Sequence, residues 1–162
     1  MASILGFQIK NIVKFQGREG QGCQGDIYYN GKKVGWYNDM ADGGMADIEF
    51  WQNGKHNKDI CAVFDKAVTD YFKRFPLTGL MKDMDPDGEM FMIALVELTE
   101  FEAKYKFYIQ TGRSYFVTFE DKSGFETTCI ASSDPQLYSK TKKDKTAFNV
   151  KEYKSLSDFI IQ

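Results

Sequence analysis

One histidine, three prolines and three cysteines in 162 residues leave several kinds of chemistry with few residues to use. His56 stands alone in the polar stretch 53–58, so a Ser–His or Cys–His pair has a single base to draw on, and an imidazole-rich transition-metal site has none to spare. Cys23, Cys61 and Cys129 are odd in number, far apart and without a CxxC spacing; this argues against a disulfide framework or zinc knuckle and reads as reduced core thiols. No apolar run approaches the ~18 residues of a membrane span, and no basic segment precedes an apolar one at the start of the chain, so a cytoplasmic placement is expected. Charge of one sign is also missing. Twenty-one basic against 23 acidic residues give a formal charge of -2, too small a field to draw the chain toward nucleic acid.

What is present is apolar material: 43% hydrophobic and 15% aromatic residues, too many for a disordered chain, with 27% charged residues to clothe the exterior. A chain of this length removes about 70% of its unfolded surface on folding, enough for a full core without metals or disulfides. No linker or internal repeat divides it, so a single domain over 1–162 is expected.

Alternation at Phe7, Ile9, Val13 and Phe15 predicts a first strand, and Gly17, Gly20, Gly22 and Gly25 read as a mobile connector after it. Asn30-Gly31 between two strand-like runs predicts a tight hairpin, because both residues tolerate positive φ. Residues 45–51 alternate again, with Ala46, Ile48 and Phe50 toward a core and Asp47, Glu49 and Trp51 toward water. Over 57–75 the period becomes helical, through Ile60, Phe64, Ala67, Val68, Tyr71 and Phe72, with Asn57 as cap and Pro76 as stop. A second helix is expected from about Asp87, burying Phe91, Ala94, Leu95 and Leu98. Strict alternation at Phe101, Ala103, Tyr105, Phe107 and Ile109 then predicts a strand that opens a meander with 115–119 and 125–130. The lysine-rich stretch 139–146 reads as a solvated loop before a final strand over 148–153. The fold class that results is α+β: an antiparallel sheet of about six to eight strands, in hairpins and a meander, with two amphipathic helices on one face.

Candidate chemistry is thin. Asp83, Asp85 and Asp87, at alternate positions before Gly88, resemble the start of a calcium loop, but the twelfth place, where a bidentate glutamate is needed, holds Ala94. The same residues are strong turn formers, and Asp85 or Asp87 suits a helix cap. The glycines at 17–25 lack the GxxxxGK[ST] pattern and the following helix of a phosphate loop. Asp26, Asp47 and Glu49, or Glu120-Asp121-Lys122, are the carboxylates a metal-dependent hydrolase or nuclease would use, although nothing in their spacing makes them converge.

The aromatic residues point elsewhere. Alternation sends Tyr28, Tyr37 and Trp51, with Asp47 and Glu49, to the face opposite Ile27, Val34, Trp36, Ile48 and Phe50. Tyrosine and tryptophan among a few charges are what protein-binding surfaces use, while burial in a core is the other fate of large rings. Aspartate and glutamate beside them would repel a phosphate backbone, so protein suits this face better than nucleic acid. The function expected is that of a non-enzymatic binding or inhibitory accessory protein, the kind that phages and mobile elements carry, needing no cofactor. The alternative is a metal-dependent hydrolase or a calcium-binding domain.

Overall fold

A computed structural model describes residues 1–52, 54–123 and 127–162. It is an α+β structure with two sheets. The first is seven-stranded, in the order β10-β1-β2-β3-β4-β5-β6. Its strands are β1 (Ser3–Ile4), β2 (Phe7–Gln16), β3 (Gln21–Tyr29), β4 (Lys32–Asp39), β5 (Asp47–Gln52), β6 (Lys55–His56) and β10 (Ile160–Ile161). Every pairing in it is antiparallel except β1 with β10. The second sheet has the order β8-β7-β9, from β7 (Tyr115–Glu120), β8 (Thr127–Ser132) and β9 (Phe148–Tyr153), all antiparallel.

Helix α2 (Gly88–Gln110) lies between the sheets, α1 (Lys58–Arg74) packs on α2 and β5, and a short α3 (Leu137–Lys143) packs on β7 and β9. Asn57 caps α1 by accepting from the Ile60 N–H, and Asp87 caps α2 by accepting from the Met90 N–H. The first sheet meets the helices through an aromatic cluster: Phe7 lies 5.3 Å from Phe64 and 6.1 Å from Phe91, ring centre to ring centre. The second sheet meets α2 through Phe116, 5.8 Å from Tyr105. A helix covered by sheets on both sides must be apolar on both, which is why α2 buries Phe91, Met92, Leu95, Val96, Leu98, Phe101 and Tyr105.

The hairpin at Asn30-Gly31 is present, with φ of 47° and 79° as a tight turn requires. Three expectations are corrected. Residues 101–109 are the end of α2, not a strand: Phe101 and Tyr105 face the core at helical spacing, while Phe107 and Ile109 are exposed. Glu102 fixes this half of the helix as well, since its buried carboxylate accepts from the Ala2 N–H at 2.8 Å and pairs with Lys106 at 2.9 Å. The glycine-rich connector is shorter than expected, because β3 begins at Gln21 and holds Gly22 and Gly25 inside the strand. A Cβ on Gly22 would stand 2.4 Å from the Phe15 ring, so a side chain there has no space. The lysine-rich stretch forms α3 through Lys143, with Thr141 buried and the lysines outward. Asn53, Gly124, Phe125 and Glu126, which the turn and meander expectations include, lie outside the described residues.

Candidate functional site

Two surfaces gather chemistry. The first is the face of the large sheet turned away from α1 and α2. Directly opposite residues share a face, so the register Lys10↔Asp26↔Trp36↔Glu49 across β2, β3, β4 and β5 is one row of side chains on that side. Beside it run Gln8↔Tyr28↔Lys33 and Val13↔Gln24↔Asn38↔Asp47. The Trp36 indole N–H donates to Glu49 Oε2 at 3.1 Å, and its ring meets Trp51 edge-on at 6.2 Å. Asp26 accepts from Asn11 at 2.7 Å and pairs with Lys33 at 2.7 Å; those two bonds hold its carboxyl below the usual carboxylate range. The Lys10 ammonium sits 4.1 Å from the centre of the Tyr28 ring.

Tyr28, Asp47, Glu49 and Trp51 therefore stand on this outer face, half-buried or exposed. Tyr37 does not. It is 1% exposed on the helix side of β4, paired with Gly25 and Ile48, and Trp36 takes the outer position instead. The cause is a bulge: the register steps from Ile27↔Gly35 to Tyr28↔Lys33, leaving Val34 as an extra residue. One inserted residue inverts the parity of everything beyond it, and simple alternation cannot anticipate the inversion. Burial of Tyr37, with Asp39 nearby, pushes its phenol well above the ordinary tyrosine value.

The carboxylates expected to serve a metal are spread out. Asp83, Asp85 and Asp87 are exposed, and Asp87 is occupied as a helix cap. Asp26 and Glu49 lie in one row of the outer face with Trp36 between them, and Asp47 lies in another. Among the described residues no three His, Cys, Asp or Glu side chains come together as a metal site. His56 Nε2 does lie 3.6 Å from Cys61 Sγ, but burial and the nearby Asp65 raise the Cys61 thiol, the reverse of an activated nucleophile.

The second surface was not legible as a site. Where α1 ends, the second sheet and the helices enclose a cleft of about 490 Å³. Its sheet wall changes character along the strands. Phe116 opposite Tyr153 and Ala131 is apolar, Thr118 lies opposite Lys151 and Cys129, and Glu120 lies opposite Thr127. The apolar end is filled by Phe159, stacked 4.4 Å from Tyr153 and 5.4 Å from Tyr105. The polar end is open, and Glu97 of α2 and Tyr71 of α1 face it. Glu120 accepts from Thr78 at 2.8 Å and from Asn149 at 2.7 Å. Glu97 accepts from the Thr127 hydroxyl at 3.4 Å.

Burial raises the Glu97 carboxyl; the Thr127 hydrogen bond and the charge of Lys14 oppose this, while Glu100 and Glu120 add to it. Burial also lifts the Tyr71 phenol to about 12. Lys151 keeps much of its surface in solvent, but its ammonium end lies 4.8 Å from the centre of the Phe75 ring, and burial there lowers its pKa against the pull of Glu120. One signal for this site exists in the sequence: Glu97 interrupts the apolar stripe of Ala94, Leu98 and Phe101, placing a charge on a face that otherwise packs.

The architecture defines an α+β protein whose longest helix separates a large, mostly antiparallel sheet from a small one. No protein-family model matches the chain, and no curated protein or solved structure matches it either. Among the described residues no helix is long and apolar enough to cross a membrane.

Proposed function

We propose that the protein is a non-enzymatic binding module, of the accessory or inhibitory kind, that docks a protein partner through the outer face of its large sheet. The observation that carries the reading is the placement of both tryptophans of the chain side by side on that face, Trp36 against Trp51, with the helices packed on the other side. Tryptophan and tyrosine within a charged rim are the residues that dominate protein–protein binding energy. Asp47 and Glu49 at the rim favour a partner presenting basic groups and disfavour nucleic acid. A metal-dependent hydrolase or a calcium-binding domain has less behind it, since the carboxylates those readings need do not converge among the described residues.

The test begins with capture from host lysate on wild type, on the Trp36→Ala/Trp51→Ala double variant and on Phe107→Ala, which removes an exposed ring from the far end of α2. Any captured protein is then purified and titrated. The reading expects a loss of at least about 100-fold in affinity for the double variant, roughly 2.7 kcal/mol, and wild-type affinity for Phe107→Ala. Equal affinity of all three, or no defined partner, would refute it.

A further inference from the structure

The polar end of the cleft has an electrostatic asymmetry that its own residues do not resolve. Two carboxylates, Glu97 and Glu120, line the cleft together with two cations, Lys151 and Arg74, the second of which donates to the Gln162 carbonyl. Glu120 has partners of its own, receiving the Thr78 and Asn149 hydrogen bonds, and its charge acts on Lys151. Glu97 has a different lot. Among the described residues it receives one hydrogen bond, a long one, from a neutral hydroxyl. The neighbouring Lys14 is paired with Glu100 at 2.5 Å.

Among the described residues Glu97 is thus a half-buried carboxylate with no cation at ion-pair distance, Lys14 being its nearest favourable charge, and it stands at the end of a cavity whose size falls within the range of small-molecule sites. A carboxylate withdrawn from water and left uncompensated is costly. Much of the remaining wall is apolar, with Phe72 and Phe75 from the end of α1 and Met90 and Ile93 from α2. An occupant that satisfies both parts has a positive head and an apolar body. An anion would add a second negative charge beside Glu97, and a neutral molecule would leave Glu97 uncompensated.

We propose that this cleft is a binding site for a small primary ammonium compound, whose head pairs with Glu97 while its apolar body lies against Phe72, Phe75, Met90 and Ile93. The site is separate from the outer face of the large sheet, and the proposal stands whether or not that face docks a partner. Occupation places a cation where the protein lacks one and covers apolar wall now open to water.

The probe is phenethylammonium, with phenylacetate as the anionic control and 2-phenylethanol as the neutral one, titrated into the full chain by calorimetry and by amide chemical-shift mapping. The cation is expected to bind at least about tenfold more tightly than either control, with shifts confined to the end of α1, the first half of α2 and the strand ends that line the cleft. Glu97→Gln is expected to abolish that preference, while Glu49→Gln, which removes a carboxylate from the outer face, leaves it unchanged. Affinity should also fall as pH drops through the raised Glu97 value, because protonation removes the counter-charge. Phenylacetate binding as well as the cation, cation shifts mapping outside the cleft, or no detectable binding of the cation would each overturn the proposal. The wild-type mapping decides the matter even if Glu97→Gln were to unfold.

Discussion

The outer face of the large sheet and the cleft beneath the small one hold similar residues put to different use. Both combine aromatic rings with carboxylates and a lysine. On the outer face the charges are matched in the open, Asp26 by Lys33 and Glu49 by the Trp36 N–H, so each group keeps near-aqueous surroundings. In the cleft, the same kinds of group are drawn in among packed rings, and Glu97, Tyr71 and Lys151 all shift toward their neutral forms. Exposed pairs contribute little to stability and can be rearranged around a partner at small cost. Desolvated groups are held in place, and their demand for a complement is what makes a selective small-molecule site.

The largest effects should come from residues shared by both regions. Phe91→Ala removes a fully buried ring that touches Phe7, Phe64 and Tyr71, and should cost about 3–5 kcal/mol in denaturant unfolding, loosening the sheet face and the cleft together. A loss confined to one region would show that α2 does not couple them. Next comes the contrast between neighbours on β4. Tyr37→Ala should also cost about 3–5 kcal/mol, whereas Trp36→Ala should cost under about 1.5 kcal/mol, because only Tyr37 is in the core. Equal costs would put the bulge at Val34 in the wrong place.

Removing Glu102 should matter less, about 1–3 kcal/mol for Glu102→Gln. Burial raises this carboxyl, but Lys106 and the Ala2 N–H outweigh it and hold it below its ordinary value. A carboxylate lowered by folding adds stability that is present above the unfolded value, about 4.3, and lost as pH falls through the folded one. Wild type should therefore lose stability in acid below about pH 4, and Glu102→Gln should lose less over the same range. At the alkaline end Tyr71 acts in the opposite sense. Its phenol rises to about 12 in the folded protein, so stability should decline as pH climbs from about 10 toward that value, and Tyr71→Phe should flatten the decline. The smallest effect is that of Asp87→Ala, about 1 kcal/mol through loss of the α2 cap, with the same thermal midpoint in calcium and in EDTA. A calcium-dependent midpoint would reopen the aspartate loop as a site.

Much of the first half of the fold could be read from residue order alone. Periodicity and caps gave α1 with Asn57 at its start, the Asn30-Gly31 hairpin, and the inward set Ile48 and Phe50. The errors share a physical origin in that local patterns were ambiguous and long-range packing decided. Residues 101–109 satisfy both a period of two and a period near 3.6, and the Glu102 bond to Ala2, 100 positions away, sides with the helix. Tyr37 and Trp36 exchange faces because of a single unpaired residue that leaves no mark on composition. The cleft depends on side chains from α1, α2, β7, β8 and β9 meeting in space, and no one segment announces that meeting.

Acrylamide quenching of tryptophan emission tests the account most directly, because Trp36 and Trp51 are the chain's two tryptophans and both report from the outer face. The account predicts that quenching falls at least about threefold when the protein partner is bound, through occlusion of both rings, and stays unchanged when phenethylammonium fills the cleft. Tryptophans as accessible in the partner complex as in the free protein would contradict the assignment of the outer face as the docking surface.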